Sequence, residues 1–141
     1  MKKATATLLL LFIVVTLFAA GLEPSAVVIK EHSPDGYNVI KQAAIAKWNT
    51  DNTMVLYEIN NQCSSLMGVL EKAIDPEIGD MSVFMKAVIK WSYTGWETYN
   101  SDLYKEWING GDFITAIFTM HCDWTMVEYE YNNQMAAIGA Y

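Results

Sequence analysis

The chain of 141 residues carries 9 basic residues, all of them lysines, against 16 acidic ones, which gives a formal net charge of −7. Arginine supplies most bidentate contacts to phosphates and base edges, and it is missing from this sequence. An acidic surface also repels the phosphate backbone on which nucleic-acid affinity depends. Composition therefore excludes nucleic acid as a partner and disfavours anionic lipid surfaces.

The first 21 residues have the pattern of a secretory signal peptide. Lys2 and Lys3 precede an uncharged run over residues 4–22, and small residues offer a cleavage site after Gly21. We therefore predict a secreted or periplasmic protein. The alternative is an uncleaved N-terminal membrane anchor, because the run approaches the roughly 20 apolar residues that a spanning helix needs. Both interpretations place the remaining chain outside the membrane.

Residues 22–36 are predicted to form an extended linker. Pro24 and Pro34 interrupt regular structure, and Ser33-Pro34-Asp35-Gly36 is typical of a turn. The remaining residues, 37–141, have the length of one domain that is large enough to bury a core.

Apolar residues recur every three or four positions from Tyr37 to Ile74, which predicts helix. Five poor helix formers, residues 49–53, interrupt this pattern. We expect a break there, with a short helix over 37–48 and a longer one over 53–74. The alternative is one long helix with a solvated stretch.

Two further long helices are predicted, over 81–108 and 113–140. The second of them has a near-heptad apolar seam, which is typical of long helices that pack almost parallel. Short loops make neighbouring helices antiparallel. The sequence therefore predicts an all-α, up-down-up bundle of three long helices, with a short extra N-terminal helix if the first segment breaks.

Cys63 and Cys122 are the only cysteines. Outside the cytoplasm an even count of two favours one disulfide. Straight helices place the two residues about 9 Å apart in height along the bundle, whereas bonded Cα atoms lie within about 7 Å of each other. A stagger or a kink would close this difference, and we predict that a disulfide staples the bundle.

The sequence contains no familiar catalytic or metal-binding motif, and we predict no cofactor and no metal. A hydrolytic or metal-dependent enzyme that uses His121 and Glu128, with Glu58 from the first long helix, is the weakest hypothesis. We interpret His121 and Glu128 instead as part of the polar flank of an amphipathic helix, beside its apolar seam. The tripeptide Asn-Asn-Gln occurs at 60–62 and again at 132–134, and we interpret both copies as polar helix faces.

The leading hypothesis is an exported, non-enzymatic helical module that binds another envelope or extracellular protein, or itself. Aromatic residues are enriched at interface hot spots, and four of them lie off the apolar stripes: Tyr93, Trp96, Tyr104 and Tyr129. The alternative is a carrier or sensor domain that holds a small apolar or aromatic ligand between helices. Four methionines would supply its adaptable lining: Met54, Met67, Met85 and Met120.

Overall fold

The computed structural model describes residues 21–93 and 113–140. Of these residues 79% are helical and none forms a strand, which confirms the all-α prediction. The described part contains six helices rather than three or four: α1 (Pro24–His32), α2 (Pro34–Trp48), α3 (Asn52–Ile74), α4 (Met81–Lys90), α5 (Phe113–Thr119) and α6 (Trp124–Gly139). None of these helices has the length and apolarity of a membrane span. Residues 1–20 of the predicted signal peptide lie outside the described part.

Helix α1 occupies the segment that we predicted as an extended linker, so that prediction is wrong. Pro24 and Pro34 stand at the first positions of α1 and α2, where the fixed proline φ suits a helix and the missing N–H is not needed. Ala26, Val27 and Ile29 are buried against the rest of the domain. The two prolines therefore begin helices here instead of interrupting regular structure.

The expected break at residues 49–53 is confirmed. Helix α2 ends at Trp48 and α3 begins at Asn52. Asn49 between them has a φ of 53°, in the left-handed region that asparagine tolerates better than most residues. Asp51 then caps α3 by accepting a hydrogen bond from the Met54 amide at 3.1 Å.

The predicted last helix, 113–140, is broken at residues 120–123. Here the chain pairs with the residues that follow α4. The Tyr93 amide donates to the His121 carbonyl at 2.9 Å, and the Asp123 amide donates to the Trp91 carbonyl at 3.1 Å. These bonds form an isolated antiparallel bridge between Ser92 and Cys122 and take the segment out of helical conformation. Asp123 then caps α6.

Helix α3 lies at the centre and packs against α1, α2, α4 and α6. Gln62 on α3 bonds to Trp124 on α6, and Ser65, one turn later on α3, bonds to Glu128, one turn later on α6. The two helices therefore run parallel. The core around α3 contains large buried side chains, among which Phe84 of α4 and Tyr131 of α6 meet edge to face at 6.5 Å. Other fully buried members are Leu66, Val69, Val88, Ile117, Trp124 and Val127.

The predicted disulfide is not present, because Cys63 and Cys122 are both free thiols that lie apart. The prediction assumed that Cys122 sits on a straight last helix. Instead the break before α6 places Cys122 against the end of α4, where its thiol donates to the Val88 carbonyl at 3.8 Å. Cys63 is buried in the core face of α3.

Candidate ligand-binding cleft

A cleft of about 840 Å³ opens between α2, α3 and the segment that connects α5 to α6. Helix α2 contributes one long wall, made of Asn38, Val39, Ile40, Gln42, Ala43, Ala44, Ala46 and Lys47. The opposite side is formed by Glu58, Gln62, Tyr93, Met120, His121 and Cys122. Of the four methionines predicted to line a ligand site, only Met120 is part of this cleft.

The polar groups on the α3 side are organised around the Glu58 carboxylate. It accepts hydrogen bonds from Lys47 at 2.9 Å, from the Trp48 indole at 3.2 Å and from Gln62 at 2.9 Å. Burial alone would raise the pKa of Glu58, but the hydrogen bonds from Lys47, Gln62 and Trp48 outweigh burial and lower it below its ordinary value. Glu58 is therefore a charged, well-bonded anchor between α2 and α3.

Gln62 connects this anchor to the start of α6. Its carbonyl oxygen accepts from the Trp124 amide at 2.6 Å, and its amide nitrogen also donates to Asp123 at 3.1 Å. Trp124 opens α6, so its N–H has no acceptor within the helix. Gln62 supplies that acceptor and fixes the N-terminal end of α6 relative to α3.

Asp123 is a second carboxylate beside the cleft. Burial acts to raise its pKa, whereas hydrogen bonds from Thr125, Gln62 and the Met126 amide lower it and prevail. All three donors are neutral and all reach the same oxygen, Oδ1. Within residues 21–93 and 113–140, no lysine or histidine forms a salt bridge with Asp123.

The rim of the cleft carries a pair of aromatic rings. The rings of Tyr93 and His121 lie 4.6 Å apart with an interplanar angle of 51°. The backbone bond between the same two residues holds the pair in place. Partial burial raises the pKa of Tyr93, and the nearby charges of Asp123 and Glu58 raise it further, although the side chain is 58% exposed.

Cys122, the cysteine that lines the cleft, is an unreactive thiol. Burial raises the pKa of Cys122 to about 12, and it does the same for Cys63 in the core. Both side chains therefore stay protonated thiols at neutral pH, and a thiol is neither a nucleophile nor a metal ligand until it ionises.

The predicted interaction surface is only partly described. Tyr93 and Tyr129 are both about 60% exposed, but Tyr93 borders the cleft whereas Tyr129 lies on α6. No ring contact joins them within the described residues. Trp96 and Tyr104 lie outside the described residues, so this surface stays a prediction.

The residues of the enzyme hypothesis do not form one site. His121 precedes α6 and stacks on Tyr93, so it does not share a helix face with Glu128. Glu128 accepts a hydrogen bond from Ser65 at 3.3 Å, and Glu58 is engaged by Lys47. In residues 21–93 and 113–140 no cluster of histidine, cysteine, aspartate or glutamate could hold a metal ion.

Sequence reasoning missed the two most important polar residues of α3, because it interpreted residues 60–62 as a solvated face. Asn60 and Gln62 are both more than nine-tenths buried. The Asn60 side chain donates to the Gly21 carbonyl and accepts from the Glu23 amide, each at 2.9 Å. Asn60 flanks the apolar position Ile59, and Gln62 flanks Cys63. That spacing is the only signal in the sequence that these amides face inward.

Comparisons with protein-family models, with curated proteins and with solved structures gave no match to this chain.

Proposed function

We propose that this protein is a non-enzymatic binding module that holds a small apolar or aromatic ligand in the cleft between α2 and α3. The observation that carries the proposal is the cleft itself. Its volume of about 840 Å³ lies within the range of about 300–1,000 Å³ that is usual for small-molecule sites. Apolar side chains such as Ile40, Ala44 and Met120 form its inner part.

The polar groups of the cleft support binding rather than catalysis. Glu58 and Gln62 hydrogen-bond to each other, and Glu58 also accepts a hydrogen bond from Lys47 of α2. These bonds hold the walls of the cleft in position. Neither Glu58 nor Asp123 has the raised pKa that suits a general acid. The Cys122 thiol is held protonated, so it does not supply a nucleophile.

Filling the cleft tests the proposal. Ala43 lines the α2 wall and is partly exposed, so a phenylalanine at this position occupies the cleft without entering the core. We expect 1-naphthalenemethanol, a neutral aromatic probe, to shift the amide NMR signals of Tyr93 and His121. Ala43→Phe should weaken that binding at least about tenfold, through loss of the buried contact area.

Ala136→Phe, the same change on an exposed position of α6, is the matched control and should leave binding unchanged. The proposal fails if the probe binds neither protein, or if Ala43→Phe binds it as well as the original chain does.

The leading hypothesis from the sequence, a protein-binding or self-associating module, remains as a second candidate. A separate observation favours it: Ile74, Ile78 and Ile138 are each more than half exposed. Because α3 and α6 run parallel, these side chains lie at the same end of the molecule. Sedimentation velocity over a hundredfold concentration range should show association that Ile78→Lys abolishes and that Ile114→Lys, on α5, does not. A monomer throughout would eliminate self-association.

A further inference from the structure

The cleft carries opposite chemistry at its two sides. The inner side is apolar, with Ile40, Ala44 and Met120 buried there. The other side combines the Tyr93–His121 ring pair with the Glu58 carboxylate. A ligand that fits both sides needs an apolar body and a charged end.

The charges beside the ring pair do not cancel. Lys47 is the only lysine among the described residues that line the cleft, and it is paired with Glu58 at 2.9 Å. Asp123 adjoins the cleft through Gln62, which lines it. Its hydrogen-bond donors are neutral, and the charge of Lys47, which also acts on Asp123, is shared with Glu58. These three charged groups therefore sum to one negative charge.

The negative charge reaches the ring pair. Asp123 is two residues from His121 on the segment whose backbone pairs with residues 91–93, because the Asp123 amide donates to the Trp91 carbonyl and the Tyr93 amide donates to the His121 carbonyl. The raised pKa of Tyr93, caused first by partial burial and then by the charges of Asp123 and Glu58, agrees with this placement. An aromatic face next to carboxylates whose charge exceeds that of the nearby lysine is an environment that attracts organic cations. An anion would meet the repulsion of Asp123 and would have to compete with Glu58 for Lys47.

We infer that the ligand of the cleft is an organic cation with an apolar or aromatic body, whose ammonium group lies against the Tyr93–His121 rings on the side of Glu58 and Asp123. This inference rests on the proposed function, because it assigns a ligand class to the same cleft. The apolar body contacts Ala43, Ala44 and Met120.

Three probes with matched bodies separate the two proposals: 1-naphthylmethylammonium, 1-naphthalenemethanol and 1-naphthoate. Their affinities are measured by calorimetry at low salt and pH 8. We expect the cation to bind about three- to tenfold more tightly than the alcohol, from combined cation–π and charge attraction. The carboxylate should bind more weakly than the alcohol.

Asp123→Asn tests the source of the preference, because asparagine also caps helices well and the fold is retained. This variant should reduce the ratio of cation to alcohol affinity at least about twofold, the scale of one partly screened charge. Asp80→Asn is the matched control. It removes the same charge from the cap of α4, which lies at the far end of that helix from Tyr93.

Each outcome has one meaning. If none of the probes binds, the proposed function fails. If the alcohol binds as tightly as the cation, the cleft is a binding site but the ligand class is wrong. If the preference survives Asp123→Asn, or if Asp80→Asn reduces it equally, the charge beside the ring pair is not its cause and the inference is overturned.

Discussion

Gln62 makes three hydrogen bonds from a nearly buried position, so Gln62→Leu removes them all while it keeps the size of the side chain. One bond, to the Trp124 amide, is between neutral groups and contributes about 1 kcal/mol; the bonds to Glu58 and Asp123 are charge-assisted and contribute at least about 1.5 kcal/mol each. Burying leucine instead of glutamine returns about 1 kcal/mol. We expect a net loss of about 3 kcal/mol in the free energy of unfolding.

Urea unfolding followed by tryptophan fluorescence measures this loss, and an unchanged m-value would show that the unfolded state is the same in both proteins. Gln134→Leu is the control, because Gln134 is exposed on α6 and, among the residues that the structure describes, its side chain bonds only to Glu130, at 3.2 Å. It should change stability by less than about 0.5 kcal/mol. A loss below about 1 kcal/mol for Gln62→Leu, or equal losses for both variants, would refute the reasoning.

Two further predictions concern backbone contact and acid stability. A methyl group on Gly36 would overlap the Phe118 carbonyl, so Gly36→Ala should lower the free energy of unfolding, followed by thermal denaturation, by about 1–3 kcal/mol. Gly139 has open space around it, so Gly139→Ala should leave the free energy of unfolding unchanged. The folded-state pKa values of Glu58 and Asp123 are lowered, so their contribution to stability is complete above the ordinary values of 4.5 and 3.8 and is lost as the pH falls below them. Urea midpoints between pH 7 and pH 3 should therefore fall, less steeply in Asp123→Asn; an identical slope in that variant would contradict the assignment.

Helical periodicity predicted which residues are buried better than it predicted where helices end. Ile117, Met120 and Trp124 continue one apolar seam on both sides of a break that the seam does not reveal. The break depends on backbone bonds to Trp91 and Tyr93, which are distant in sequence. A local pattern carries no information about such a partner.

The cleft was still harder to predict, because its polar residues have no local signature. Gln62 and Gln134 end the same Asn-Asn-Gln tripeptide. Gln62 is buried because α6 packs against it at Trp124, whereas Gln134 stands on an exposed side of α6. The difference comes from tertiary packing alone. Met120, one of the four methionines that the ligand hypothesis named, lines the cleft, whereas the α2 wall was not part of that hypothesis.

If the N-terminal segment is the signal peptide that the sequence predicts, the two hydrogen bonds of Asn60 limit when it can be removed. They hold the Gly21 carbonyl and the Glu23 amide, on either side of the predicted cleavage point, and Leu22 between them is buried. A peptidase needs its substrate strand extended and open, so the folded domain protects this bond. If cleavage follows Gly21 as predicted, it has to happen before the domain folds. Chains that fold first would keep their N-terminal segment, and the relative rates of processing and folding would set the proportion of released to tethered protein.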